Sequence, residues 1–342
     1  MIIATRRISV SDKPLIIAEI GINHGGDIHI AKKMVDAAAS AGCEMIKHQT
    51  HFVEDEMTHE AKNIFPPNAE ISIWDVIEKC ALSEEEEIEL KHYTEKKGII
   101  YISTPFSRKA ADFLNQIDVP AFKIGSGEAD NLPLIEHIAN FGKPIILSTG
   151  MQTIQSVYAS VEILRKSKVD FALLECTNSY PSSPEFVSLK GILELREAFP
   201  NIPIGFSDHS IGPEMALGAI ALGSCIIERH FTDDRYHKGP DIICSMDASE
   251  LKFLIDRGNE IHLAINNPKI RTIPEEPVYK FARSSVVADR ELKKGTILDN
   301  KDIWVRRPGT GPIAAYDYNK VIGRKLKNAK SFNDAINWDD IE

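Results

Sequence analysis

The chain has 342 residues, 43% hydrophobic and 26% charged, a balance that argues for a folded globular protein and against disorder. A formal net charge of -10 disfavours any general affinity for nucleic acid or an anionic membrane, because both need a basic surface; an anionic substrate would need a locally basic pocket. The length exceeds one ordinary domain, so a large domain with a small companion is expected.

At the start, residues 1–13 carry no apolar run behind a basic segment, so no secretory signal is expected. The most apolar stretch, Met215 to Phe231, is interrupted by Gly218, Gly223, Glu228, Arg229 and His230, which a membrane span rarely tolerates. A cytoplasmic protein is the expectation. Five cysteines (Cys43, Cys80, Cys176, Cys225, Cys244) without a Cys-x-x-Cys pair point to buried free thiols, not to a disulfide framework or a zinc ribbon.

Eight short apolar, β-branched runs follow in order, at 15–20, 44–50, 99–104, 121–126, 144–149, 171–177, 202–207 and 225–231. Helical patterns separate and follow them, at 29–41, 84–97, 107–116, 132–140, 154–167, 188–198, 212–222 and 249–265. The helix over 84–97 is the clearest: Ser83-Glu84-Glu85-Glu86 has the capping-box form, and Lys96, Lys97 and Gly98 supply the charge and stop of a C-terminus. Eight βα units within residues 1–265 predict a (β/α)8 TIM barrel more readily than a doubly wound sheet. The runs also end in polar residues: Glu19, Lys47 and Gln49, Thr104, Lys123 and Ser126, Ser148, Asn178, Ser207 to His209, and His230. In a barrel those ends converge on one mouth, where active sites lie.

Residues 266–280, with Pro268, Pro274 and Pro277, read as a linker that would reach about 50 Å if extended. Residues 281–342 then hold short strand-like runs (Ser285 to Ala288, Ile303 to Val305) and turn signals at Lys294-Gly295 and Pro308-Gly309-Thr310-Gly311. A small, mostly β module is expected, one that leans on a neighbour for stability.

Lys47 and Lys123 end two strands beside Ser126, Ser148 and Ser207, the composition of a cradle for phosphate and carboxylate. A lysine that forms an imine with substrate is the competing reading. His209 and His230 close adjacent strands, and two histidines completed by water and substrate oxygens suit Mn2+ or a similar divalent ion better than closed structural zinc. Glu19 and Glu128 are carboxylates beside buried strands, costly unless they pair, bind metal or move protons, and Asp241 lies on the loop after the eighth strand.

Six segments together resemble the bacterial N-acetylneuraminate (sialic acid) synthases: Glu19-Ile20-Gly21-Ile22-Asn23-His24, Lys47-His48-Gln49-Thr50-His51, Glu54-Asp55-Glu56-Met57, Lys123-Ile124-Gly125-Ser126-Gly127-Glu128, Leu147-Ser148-Thr149-Gly150-Met151 and Arg229-His230-Phe231-Thr232. The C-terminal part resembles the antifreeze-like (SAF) domain of that family, with Arg306-Arg307-Pro308-Gly309-Thr310-Gly311 as its substrate-reaching segment; Ser331-Phe332-Asn333-Asp334 departs from the usual Lys-Gly turn. The resemblance implies condensation of phosphoenolpyruvate with N-acetylmannosamine and water to N-acetylneuraminic acid and phosphate, by C–O cleavage through a tetrahedral intermediate. It assigns His209 and His230 to a divalent metal, Mn2+ first, with Mg2+ or Co2+ as alternatives. Lys47, Lys123, Ser126, Ser148, Asn178 and Ser207 would hold phosphoenolpyruvate, and Gln49, Tyr180, Asp241 and Arg307 the sugar. Glu19 and Glu128 would handle protons, water or hydroxyls, and Thr104 and Asn68 would lie near the substrates. A domain-swapped homodimer, with Arg307 acting in its partner's barrel, is the implied assembly. Rival expectations are a legionaminic or pseudaminic acid synthase using a diacetamido trideoxy sugar, an imine-forming aldolase, and a non-catalytic sugar-binding or ice-binding protein.

Overall fold

The computed structural model describes residues 1–66 and 70–342, so Asn68 lies outside the described residues. Eight parallel strands close into a barrel in chain order. They are β1 (Leu15–Gly21), β2 (Met45–Thr50), β3 (Ile100–Pro105), β4 (Phe122–Ile124), β5 (Ile145–Ser148), β6 (Phe171–Cys176), β7 (Ile204–Asp208) and β8 (Ile226–His230). The principal helix after each strand is α1 (Ile28–Ser40), α2 (Glu84–Lys96), α3 (Arg108–Gln116), α4 (Leu132–Ala139), α5 (Ile154–Ser167), α6 (Leu189–Ala198), α7 (Glu214–Ala221) and α8 (Ala248–Ile265). Polar caps set their starts: Ser83 and Glu86 form the expected capping box of α2, and Asp247 with Glu250 does the same for α8.

The two-residue period of the strands explains both core and site. One set of side chains, among them Ile16, Ile46, Phe122, Leu147, Leu173 and Phe206, packs outward against the helices in the main apolar cluster. The alternate set points inward. At the N-terminal end it is apolar (Leu15, Ile17, Met45, Ile102, Ile146, Leu174, Ile226), and Ile3 and Ile8 of a ribbon pairing Ile2–Ile3 with Arg6–Arg7 plug it from below. One step further along the same strands the inward set becomes Glu19, Lys47, Thr104, Lys123, Ser148, Cys176, Ser207, Glu228 and His230, which line a cavity.

Two additions to the sequence pattern follow β2: a helix at Val53–Glu56 and another at Ile73–Cys80. Both contribute to a satellite apolar cluster with Ile22. On the outer face of β6, burial pushes Glu175 up to about 7, against the acidifying pull of the Cys176 backbone N–H. A carboxyl that holds its proton more tightly when folded costs stability as pH rises, here from about 4.5 to about 7. Glu175→Gln is therefore expected to unfold at higher urea than the native chain at pH 8 and at the same urea near pH 4.5; equal midpoints at pH 8 would refute the buried-carboxyl account.

Residues Pro268–Glu342 form a second compact unit, separate from Met1–Asn267. Residues 266–280, read as a linker, are not extended throughout: they contain a 3-10 turn at Ile273–Glu275, capped by Thr272, and enter the helix Glu276–Ala282. Arg271 and Arg283 flank the Tyr279 ring at 3.9 and 4.2 Å, which ties the segment to itself. Helical residues advance about 1.5 Å each, so the 50 Å reach does not hold. Beyond it, β9 (Ser285–Ala288) and β10 (Ile303–Arg306) pair antiparallel over a core that includes Val286, Leu298, Ile303, Ile313, Leu326 and Ile336. In the departing segment, Asn333 takes φ 70, a left-handed conformation that asparagine tolerates, and Ser331 and Asp334 close the turn on each other.

Candidate active site

The floor of the cavity is a buried lattice of opposite charges. Lys47 Nζ lies 2.8 Å from Glu19 Oε2 and donates to Thr104 Oγ1 at 2.9 Å. Lys123 Nζ lies 3.4 Å from Glu228 Oε1, which also accepts from Ser207 Oγ at 3.1 Å and sits 4.0 Å from Lys47 Nζ. Burial raises the Glu228 carboxyl, but Lys123 and Lys47 outweigh it and hold the group below the usual carboxylate range. For Glu19, burial wins over the pull of Lys47 and pushes it up to about 7. Burial pushes Lys123 down against the pull of Glu228, whereas Lys47, equally buried, is held up by Glu19 and Glu228. With Glu19 raised and Glu228 lowered, the carboxylates do not fully match the two lysines, so the floor favours an anion.

Around that floor stand hydroxyls and amides. Ser126 Oγ accepts from the Gly150 backbone N–H at 3.0 Å. A Cβ at Gly150 would fall 1.9 Å from Asn178 Oδ1 and 2.7 Å from Ser126 Oγ, so glycine lets β4, β5 and β6 converge here. Ser148 Oγ is buried with no hydrogen-bond partner, an orphan that a ligand oxygen would satisfy.

On the opposite wall the His209 and His230 rings lie 5.5 Å apart, with Tyr180 4.1 Å from His209. Burial pushes both imidazoles down, His209 to about 4 and His230 to about 3, so both are neutral at pH 7, the form that ligates metals. His209 Nδ1 donates to Thr177 O at 2.9 Å, which frees Nε2. His230 Nδ1 is buried without a hydrogen-bond partner, and Asp241 Oδ2 stands 3.8 Å from it. Just outside the barrel, Arg229 pairs with Asp208 at 3.2 Å and donates to Ser210 O at 2.6 Å, bracing the two strand ends that carry the histidines. Among the described residues no third histidine, cysteine or carboxylate joins the pair as a ready-made metal cluster.

An outer lobe of about 360 Å³ opens from this cavity, sharing Gln49, Phe106, Tyr180 and His230 with it and adding Asp241. One side of the lobe is apolar: Ile22, Ile73, Val76 and Ile77. Glu128 is placed differently, in a neighbouring cleft with Glu56 and Arg108, where it accepts from Asn131 at 2.5 Å. Arg307 belongs to the second unit, where it is exposed and makes no ion pair among the described residues. A cleft of about 470 Å³ at the other end of the barrel offers less, because Arg6 is already paired with Glu44 at 2.9 Å.

The profile of the NeuB family matches residues 34–269, and that of the SAF domain residues 283–342. The chain belongs to the NeuB family. Within that family, the N,N'-diacetyllegionaminic acid synthase of Campylobacter jejuni is 35% identical over 328 residues, 93% of this chain and 97% of that protein. Human N-acetylneuraminate-9-phosphate synthase is 32% identical over 327 residues, 94% and 90% of the two lengths. The crystal structure of N-acetylneuraminic acid synthetase from Leptospira borgpetersenii superposes with a TM-score of 0.75 at 31% identity, covering 81% of this chain and 94% of that one. This NeuB-family chain is accordingly a sialic-acid-synthase-like protein, and its described residues include no helix long and apolar enough to cross a membrane.

Sequence reasoning missed Glu228, Cys176 and Phe106 in this NeuB-family site. The signal for Glu228 was available: Ile226, Glu228 and His230 share the inward register of one strand.

Proposed function

We propose that this chain condenses phosphoenolpyruvate with an N-acetylated mannosamine-type aldose, N-acetylmannosamine in first place, and water, giving a nine-carbon 2-keto sugar acid and phosphate. The single observation that carries this reading is the buried floor on which Lys47 and Lys123 converge with Ser126, Ser148, Asn178 and Ser207, opposite a pair of neutral histidines. Phosphate and carboxylate would take the ammoniums and the orphaned Ser148 hydroxyl, leaving C3 of the enol free to attack the aldehyde C1 of the sugar. His209 and His230 would hold a divalent ion, Mn2+ in first place, that supplies polarisation of the aldehyde oxygen when bound. Glu19, within 2.8 Å of Lys47, would take the proton of the water that adds at C2, and collapse of that adduct by C–O cleavage releases phosphate. Gln49, Tyr180 and Asp241 would hold the sugar from the outer lobe, with Thr104 steadying Lys47; Glu128, in its side cleft, is the least direct member of the set.

A second reading has its own support. Ile22, Ile73, Val76 and Ile77, on one side of the lobe, would bury a 6-methyl and a second acetamido methyl, as in a diacetamido trideoxy sugar, better than they would hydroxyls. An apolar pocket rejects an added hydroxyl by only about 100-fold, so both sugars should react. Competition between them, read by product mass, tests the choice: preference for N-acetylmannosamine supports the first reading, and a preference of tenfold or more for the diacetamido sugar replaces it with the second.

The assembly proposed is a homodimer in which Arg307 of one chain closes its partner's barrel, supported by an exposed guanidinium, without an ion pair among the described residues, beside a Pro-Gly turn. Its fork of donors suits an N-acetyl carbonyl. Arg307→Ala and His230→Ala homodimers should each be nearly inactive, while co-expression should restore about a quarter of native activity, since half of randomly paired dimers are mixed and one site in each is intact. No recovery in dimers shown by differential tags to be mixed would place Arg307 in its own chain's site or outside catalysis.

A further inference from the structure

A line of side chains runs from the outer lobe to the buried base. Glu56 Oε2 lies 2.8 Å from His51 Nδ1; His51 Nε2 lies 3.3 Å from Gln49 Oε1; and Gln49 Nε2 donates to Glu19 Oε1 at 2.7 Å, with Lys47 on the other carboxylate oxygen. We propose that His51, held by Glu56, is a positioning residue that fixes the amide of Gln49 and through it the carboxylate of Glu19. The inference rests on the reading of Glu19 as the proton acceptor in the water step.

The physical case begins with the amide. Gln49 has a donor end and an acceptor end of nearly equal size, and only one orientation serves Glu19, because the reverse would set a carbonyl oxygen against a carboxylate. Nothing in an amide chooses between the two by itself. A ring nitrogen donating to Oε1 chooses, since a flipped amide would meet it with an N–H; because Nδ1 donates to the Glu56 carboxylate at the same time, this needs the imidazolium form, in which both ring nitrogens carry protons. The ring is itself fixed: its side chain is 1% exposed, Glu56 takes its other nitrogen, and it stacks on Phe106 with centroids 4.6 Å apart and planes 13° from parallel.

A separate observation comes from the backbone. Gly21 has φ +46, and a Cβ there would lie 2.9 Å from Glu19 Oε1 and 3.1 Å from Gln49 Nε2. The bond between Gln49 and Glu19 therefore lies directly against bare main chain, where neither group has room to swing toward β1. With Lys47 on one oxygen and the His51-oriented amide on the other, the carboxylate is held from both ends. Loss of that hold displaces a proton acceptor by a fraction of its reach, and a misplacement of about 1 Å costs up to about 100-fold in rate.

The test is a double-mutant cycle on His51 and Glu19, with product formation measured at saturating substrates and Mn2+. His51→Leu should lower kcat by about 10- to 100-fold while KM for phosphoenolpyruvate stays within about threefold and KM for the sugar, which Gln49 also faces, rises by less than kcat falls. His51→Gln, whose amide can still donate to Gln49, should recover part of that loss, and Glu56→Gln should lose less than His51→Leu. In a Glu19→Gln background, adding His51→Leu should change kcat by less than about twofold, because the group it positions is gone. Additive losses in the double variant would overturn the proposal, as would native kcat in His51→Leu, or a raised sugar KM at unchanged kcat, which would make His51 a sugar contact. Thermal unfolding of each variant separates a folding defect from these outcomes: kcat per folded, Mn2+-bound protein that is native in His51→Leu would make the residue merely structural. If Glu19→Gln alone keeps native kcat, the role of Glu19 fails first and this proposal with it.

Discussion

His230→Ala should lower kcat by about 1,000-fold or more, with the thermal midpoint of the metal-free protein moving by only a few degrees. The ring sits at the end of β8, above the apolar plug and not within it, so its loss opens space at the cavity and leaves the barrel core intact. Its Nδ1 has no hydrogen-bond partner to strand. What disappears is one of the two neutral imidazoles that would hold the ion opposite the lysine floor, and with it the charge that would stabilise a developing alkoxide. His209→Ala should behave alike, and Mn2+ binding followed by electron paramagnetic resonance should weaken in step with turnover. Native kcat in His230→Ala with excess chelator would remove the metal from the account.

Lys123→Met should raise KM for phosphoenolpyruvate by about 100-fold, since removing one partner of a desolvated charge pair commonly costs 2–5 kcal/mol, roughly 30- to several thousand-fold. The same change also leaves Glu228 with Ser207 and a Lys47 ammonium 4.0 Å away, so stability should fall as well. Two effects can be separated by the pair Lys123→Met with Glu228→Gln, which removes both charges. That double variant should regain much of the lost stability but none of the lost affinity, because the substrate still lacks its counter-charge. Recovery of phosphoenolpyruvate binding together with stability would mean that Lys123 serves only to neutralise Glu228.

The barrel was legible because its strands alternate so regularly. Residues 15 to 19 read Leu-Ile-Ile-Ala-Glu, with Leu15 and Ile17 facing inward in the plug and Glu19 inward in the site, and the same switch from apolar to polar recurs at Met45 and Lys47 and at Ile226 and Glu228. Polar strand ends therefore pointed to the mouth before any coordinates did. Three things were harder to see. The helix at Ile73–Cys80 is only eight residues, within a loop whose apolar positions matter by packing on Ile22, a contact between segments some fifty positions apart. The prolines of 266–280 read only as a linker, yet Pro274 and Pro277 occupy first-turn positions of a 3-10 turn and of a helix, where proline is at home. The partnership of His51 with Gln49 and Glu56 depends on which way a loop turns after β2, and spacing alone does not encode that.

The most direct test of the whole account is mass spectrometry of an incubation of the purified chain with phosphoenolpyruvate, N-acetylmannosamine or its diacetamido trideoxy counterpart, and Mn2+. A nine-carbon 2-keto sugar acid formed with one equivalent of phosphate, from a reaction that borohydride does not trap on either lysine, is the predicted result. Folded, Mn2+-bound protein that releases no phosphate with either sugar, or that forms a borohydride-reducible adduct with pyruvate, would contradict it.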